Sequence, residues 1–337
     1  MRVATLEDVA GACGVSYQTV SRVVNKSPAV ADKTRSKVLR AIEELGYRPN
    51  LTARRLATRR ASVIGMVGSN ITYYGPAQVM VAIEETAKRE GYNLMFARVQ
   101  SPDRAELADA ITDLCAHQVD GLVLGVPVGG KGDLVRKLCR GTPFVTLDVA
   151  VAPDVPTVIV DQSHGVRLSV RHLLELGHRR IAFVGGPAGW VPADVRQAAW
   201  AQTLRDAGLE PGPYAQGDWS AVSGYRAAEE LLAVERERFT AVVAANDQMA
   251  LGALRAFHDR RVRVPGEISV VGYDDLPEAC FFTPSLTTVH NDFAGQAERC
   301  IQVLLSLIEG RAVDLPLPSL LPDLVIREST AAVQSSR

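Results

Sequence analysis

The chain has 337 residues, 47% of them apolar and 22% charged, with a formal net charge of −1. That length suggests two or three domains at roughly 100–200 residues each, and the composition excludes a disordered chain. No apolar run reaches the ~18–20 residues of a membrane span, the start MRVATLEDVAGACGV lacks the apolar centre of a signal peptide, and five scattered cysteines show neither a disulfide framework nor zinc spacing, which points to a reducing, cytosolic setting.

The net charge taken alone argues against a nucleic-acid binder, but it is a sum of unlike parts. Residues 1–60 hold twelve Lys/Arg against five Asp/Glu, a net of +7, and the remaining residues carry −8. A basic head on an acidic body suggests a polyanion-binding module joined to a larger domain; the plainer alternative is a solvated basic face.

The head predicts three short helices. Thr5 with Asp8 has the spacing of a capping box, and Leu6, Val9, Ala10 and Cys13 share one helical face that ends at Gly14. The next segment, Ser16–Asn25, turns Val15, Val20, Val23 and Val24 inward and leaves Tyr17, Gln18, Ser21, Arg22 and Asn25 outward. A third helix, about Asp32 to Leu45, turns Val38, Leu39, Ile42 and Leu45 inward and stops at Gly46. Helix, tight turn and a second helix with a polar outer face form a helix-turn-helix pattern. Arg22 suits guanine and Gln18 suits adenine in the major groove, and Tyr17 offers a hydroxyl and a flat apolar face. Ser16, Ser21, Asn25 and Thr34 suit phosphates. In the basic stretch 50–60, Leu56 reads either as a minor-groove wedge or as a linker leucine.

The runs TLEDVAGACGVSYQTVSRVVN and DKTRSKVLRAIEELGYRPN resemble the DNA-binding head of the LacI/GalR family of bacterial repressors, with the Tyr17–Gln18–Arg22 set closest to its lac-type subgroup. That resemblance implies further DNA contacts from Thr5, Leu6, Thr19, Tyr47, Asn50 and Ala53. It also implies a central wedge role for Leu56, and a homodimer on a pseudo-palindromic double-stranded operator.

From Ser62 onward, short apolar runs alternate with helical patterns, which predicts parallel sheets with crossover helices. VIGMVG at 63–68 and IAFVGG at 181–186 are each followed by a Gly-Pro loop, a helix and a glycine. This internal echo predicts two similar α/β lobes with a cleft outside the carboxyl ends of the strands. Residues at those ends are Asp148, Arg196 in the first turn of a helix, Trp219, Asn246, Asp274, Asn291 and Phe293, the last two at a crossover between lobes. Carboxylates, a fork donor, amides and aromatic faces suit a neutral sugar; turn-capping and core packing are the alternatives.

GDWSAVSGY, VAANDQMALGALRA, ISVVGYDDLPEAC and FTPSLTTVHNDF resemble the effector-binding domain of the same family, which implies a two-lobed periplasmic-binding-protein-like (type I) body. The implied effector contacts are Asp148, Arg196, Trp219, Asn246, Asp274 and Phe293, with Asn291 in place of a glutamine, Gly75–Pro76 as the first binding loop, and Tyr73 bulkier than the subgroup's residue. Ser101 and Pro192 also depart from the subgroup pattern. The resulting expectation is a head at 1–48, a hinge at 49–61, a body at 62–330 and a flexible tail at 331–337. The effector is expected to be a sugar, a galactoside first, with a purine or nucleoside as alternative. A sugar-processing enzyme with a DNA module, with Asp148 and Asp274 as its acid/base pair, is the reading from another class. Gly125–Lys131 fits most of a phosphate-binding loop but lacks its Ser/Thr, so it reads as a glycine-rich surface loop, and the six histidines show no metal spacing; no cofactor and no metal are expected. The tail has no leucine heptads, which predicts a dimer.

Overall fold

The computed structural model describes residues 4–24, 27–47, 61–69, 71–100, 104–126, 132–148, 152–235 and 239–333. Asn25, Asn50, Ala53, Leu56, Ser101 and most of the glycine-rich 125–131 loop therefore lie outside the described residues. The chain divides into two compact units, Met1–Ala61 and Ser62–Arg337.

The first unit holds helices α1 (Leu6–Cys13), α2 (Tyr17–Val24) and α3 (Asp32–Glu44). Thr5 caps α1 in a two-way capping box with Asp8, and Gly14 ends the helix in the left-handed conformation, φ 58°. Ser16 starts α2 by accepting the Thr19 N–H at 3.2 Å. The core is Val9, Cys13, Val20, Val23, Val30, Val38, Ala41 and Tyr47. Two inward expectations fail: Leu39 and Leu45 are 51% and 41% exposed. The buried stripe of α3 runs through Val38 and Ala41, so a small alanine holds the place that hydrophobicity assigned to larger leucines.

The second unit has two lobes. In the first, strands β1 (Val63–Ser69), β2 (Asn93–Val99), β3 (Gly121–Gly125), β4 (Phe144–Leu147) and β5 (Thr157–Val158) form an all-parallel sheet of order β2-β1-β3-β4-β5. Helices α4 (Tyr74–Arg89), α5 (Arg104–Ala116) and α6 (Gly132–Cys139) connect them. The second lobe has β6 (Ile181–Gly185), β7 (Tyr214–Gln216), β8 (Ala241–Ala244), β9 (Ser269–Asp274) and β10 (Thr287–His290), with α7 (Gln162–Glu175), α8 (Val191–Asp206), α9 (Ala221–Glu235) and α10 (Asp247–Asp259). Helix α11 (Phe293–Ile308) follows β10, and β11 (Asp323–Val325) closes the sheet order β11-β10-β9-β8-β6-β7. The internal echo is topological: β1 lies between β2 and β3 as β6 lies between β7 and β8. The expectation of parallel sheets holds except at β11, which pairs antiparallel with β10, as edge strands of otherwise parallel sheets often do.

The chain crosses between lobes repeatedly. Although α11 follows a second-lobe strand, its Ala297, Cys300, Ile301 and Leu304 pack into one core with Ile64, Val123 and Val145 of the first lobe. Gly121 makes this close approach possible, because a Cβ there would lie 2.8 Å from Leu304 Cδ1. The Asn291–Phe293 crossover is therefore where β10 hands the chain to the first lobe.

The last residues correct another expectation. Ser329 is fully buried, donating its hydroxyl to Val270 O at 2.6 Å and accepting the Thr287 N–H at 2.8 Å. Ala331 N–H bonds Ser269 Oγ at 3.0 Å, and Val333 N–H bonds Leu176 O at 3.0 Å. Residues 331–333 are thus tied to the second lobe, because the Ser269 hydroxyl and the Leu176 carbonyl at the end of α7 satisfy their backbone N–H groups. Residues 334–337 lie outside the described residues.

Candidate functional site

The head presents one polar face. Tyr17, Gln18 and Arg22 are exposed on α2, with Ser21 partly so. Residues 18 and 22 stand one turn apart, so Gln18 and Arg22 are neighbours on the helix surface. Thr5 and Ser16 are exposed as caps; Leu6, Thr19 and Thr34 are half-buried. Tyr47, expected among the DNA-contacting residues, is only 8% exposed and packs in the head's core. Its backbone N–H reaches back to Ile42 O at 2.9 Å, so it anchors the end of α3.

In the body, a cavity of about 290 Å³ lies at the carboxyl ends of the strands. All ten expected effector residues line it: Tyr73, Gly75, Pro76, Asp148, Arg196, Trp219, Asn246, Asp274, Asn291 and Phe293. Arg196 stands in the second turn of α8, not the first, because the helix already starts at Val191. That depth buries the guanidinium. Its Nε donates to Gln162 Oε1 at 2.9 Å, its Nη1 to the Ala245 carbonyl, and its Nη2 lies 3.5 Å from Asp274 Oδ1. Its Cζ sits 3.6 Å from the Tyr273 ring centroid and 5.7 Å from that of Trp219.

Each carboxylate has an amide partner. Asn291 Nδ2 donates to Asp274 Oδ1 at 3.0 Å, and Gln296 Nε2 donates to Asp148 Oδ1 at 2.8 Å. Burial pushes both acids up to about 6, against the pull of Arg196 and the amides. Asn246 is committed otherwise: its Oδ1 caps α10 through Met249 N–H at 2.9 Å, and its Nδ2 donates to Trp219 O at 3.0 Å. It acts first by fixing the loop that carries Trp219.

Aromatic rings close the space. Tyr73 of the first lobe meets Trp190 of the second edge-to-face at 5.5 Å, and Trp190 meets Trp219 likewise at 6.0 Å. Tyr74 meets Phe293 at 5.9 Å. Gly186, at the end of β6, leaves room for Trp219: a Cβ would stand 2.5 Å from its ring.

Three features mark this cavity as built for a ligand. Asp148, Trp219 and Asp274 have positive φ of 60°, 75° and 105°, a strain of about 1–3 kcal/mol each that concentrates at functional sites. Among the described residues Trp219 Nε1 and Asn291 Oδ1 are buried without hydrogen-bond partners, although such groups are almost always paired. Finally, the Asp148 carboxylate opposes stability. Its folded pKa of about 6 exceeds the ordinary carboxylate value, so the neutral acid stabilises fully below about pH 4 and that stabilisation is lost as pH rises through 6. Asp148→Asn should therefore melt higher than the wild type at pH 8, by about 1–3 kcal/mol, with the gap closing below pH 4. A gap independent of pH in thermal melts would assign the effect to packing.

Sequence reasoning missed Gln162, Trp190 and Gln296, all of which line the cavity. Gln162 and Trp190 also follow strand ends, and Gln296 is a polar residue in the apolar stripe of α11, so each had a legible signal. Among the described residues no cluster of His, Cys, Asp and Glu is placed to hold a metal ion, and no helix is long and apolar enough to cross a membrane.

The model of bacterial regulatory proteins of the lacI family matches residues 5–50, and that of a periplasmic binding protein-like domain matches residues 170–330. The lactose operon repressor of Escherichia coli is 39% identical over 314 residues, covering 93% of this chain and 87% of that protein. The transcriptional repressor PurR of Mannheimia succiniciproducens is 34% identical, covering 98% of this chain and 100% of its own length. The solved lac repressor dimer bound to operator and the anti-inducer ONPF matches with a TM-score of 0.89 at 38% identity, over 98% of this chain and 100% of that one. With the head, the two-lobed body and their order all in common, the chain belongs to the lacI family of bacterial regulatory proteins.

Proposed function

We propose that this chain is a cytoplasmic, sequence-specific transcriptional repressor, released from its operator by a neutral sugar, a galactoside first, bound in the body's cleft. The observation that carries the effector reading is the Arg196–Asp274–Asn291 cluster, roofed by Trp219, in which Trp219 Nε1 and Asn291 Oδ1 are buried and unpaired among the described residues. Hydroxyls donate and accept at once, so they satisfy such a mixed set, while the aromatic faces cover the C–H side of a ring. The head supplies phosphate attraction and base reading. A homodimer would place two α2 helices on half-sites about one turn apart; the exposed Val222, Leu251 and Phe281 (83% exposed) supply apolar surface for self-association.

The PurR likeness and the rings of Tyr73, Tyr74 and Trp219 support a purine or nucleoside as second reading. The rings that touch meet edge-to-face, however, not as the parallel pair that would sandwich a flat base. An enzyme is disfavoured because Asp148 and Asp274 are each held by an amide, which keeps them as acceptors.

The test titrates operator DNA with the full chain in the presence of candidate ligands. A galactoside should weaken operator binding, and by linkage operator should weaken galactoside binding by the same factor, about 5–150-fold. Tightening by a purine would favour the second reading; turnover of ligand with no effect on DNA would sink both.

A further inference from the structure

Gln296 is 1% exposed at the fourth position of α11. It interrupts the inward stripe of Phe293, Ala297, Cys300, Ile301 and Leu304, all apolar, that joins the first-lobe core. A buried amide is costly unless its groups are bonded. Here the one side-chain bond among the described residues runs from Nε2 to Asp148 Oδ1 at 2.8 Å. Among the described residues its Oε1 has no partner, yet Gln296 lines the cavity. Asp148 is similarly one-sided: the Gln296 and Val160 N–H groups both address Oδ1, the latter at 3.5 Å, and Oδ2 has no partner among the described residues.

We propose that Gln296 is a specificity-determining residue of the effector site, its Oε1 joining Asp148 Oδ2 as a two-acceptor grip for neighbouring hydroxyls of the ligand. Its Nε2 meanwhile positions the carboxylate. The grip rests on the sugar reading of the cleft and deepens it: this end of the ligand must be a neutral polyol that donates twice. An anionic or carbonyl group there would face acceptors alone. The other groups that act electrostatically with Asp148 leave this unchanged. Arg196 favours the carboxylate, and burial pushes the Cys300 thiol and the Tyr273 hydroxyl up, so both stay neutral.

Calorimetric titration of the full chain with methyl β-galactoside and its monodeoxy analogues, between pH 5 and 8, tests the grip. Gln296→Leu should weaken binding of the parent sugar about tenfold, and that loss should vanish for the analogues lacking the hydroxyls that Gln296 and Asp148 hold. The pH midpoint of binding should also move up, because Asp148 loses the donor that favours its charge. Equal loss on every analogue with an unmoved midpoint would overturn the proposal. Operator binding without sugar checks that the variant folds; if it does not, Gln296→Met, equally long and apolar, replaces it. A wild type that binds none of these sugars would sink the galactoside reading and the grip together, whereas wild-type binding with an unresponsive Gln296 would sink the grip alone.

Discussion

Arg196→Ala is expected to abolish ligand binding and to destabilise the body by about 3–5 kcal/mol, the usual cost of stripping one partner from a buried ion pair. The guanidinium answers three acceptors in three directions: Gln162 Oε1, the Ala245 carbonyl and the Asp274 carboxylate. It also packs on the Tyr273 ring. Removing it leaves Asp274 buried with Asn291 as its sole hydrogen-bond donor among the described residues. Arg196→Lys should fail as well, since an ammonium is a point donor and cannot span the fork. The pH dependence separates electrostatics from packing. In the wild type Asp274 already sits at about 6 through burial, with Arg196 pulling down. Without that pull its folded pKa rises further, so the variant gains stability from protonation at low pH and loses it as pH rises through the new value. The deficit against the wild type should be largest near pH 8 and smaller at pH 5. A deficit equal at both, in denaturant titrations, would mean that Arg196 acts by volume alone.

Much of this site was legible because α/β folds carry ligands at strand ends, and turn residues there are few. Asp148, Asp274, Trp219 and Asn246 could be placed by that rule with no knowledge of side-chain direction. What the rule could not supply is how each polar group is occupied. Asn246 spends its amide on a helix cap and on the Trp219 carbonyl, which distinguishes it from Asn291 and its unpaired oxygen. Gln162 and Gln296 were passed over because a glutamine near a helix start usually faces water, although Gln296 falls within the apolar stripe of α11 that packs into the first-lobe core. The head failed in the opposite direction. Leu39 and Leu45 satisfy helical spacing, but a three-helix unit has a small core, and Val38 with Ala41 already fill the α3 side of it. Tyr47 entered only through the family resemblance, and its ring lies in that core. The C-terminal residues were misjudged because hydropathy does not register backbone N–H groups, here those of Ala331 and Val333, that bond a serine hydroxyl and a helix-end carbonyl.

Arg22→Ala should cost about 1–3 kcal/mol on operator DNA and little on random DNA of the same length. The contrast follows from where Arg22 stands. It is an exposed residue of a two-turn helix fixed at one end by the Ser16 cap and buried through Val20 and Val23. The helix therefore holds its outward side chains at fixed spacing, with Gln18 one turn away. A guanidinium so placed can make two bonds to one guanine edge, and a wrong base leaves it a desolvated donor. Lys33 is the control: it is an exposed cation on α3, and its attraction to phosphate carries no sequence information. Lys33→Ala should lower operator and random binding alike, with a shallower salt dependence for both. Fluorescence anisotropy on the two duplexes at two salt concentrations measures all four quantities. If Arg22→Ala behaved like Lys33→Ala, the α2 face would be a phosphate contact, and the basic head would bind DNA without reading it.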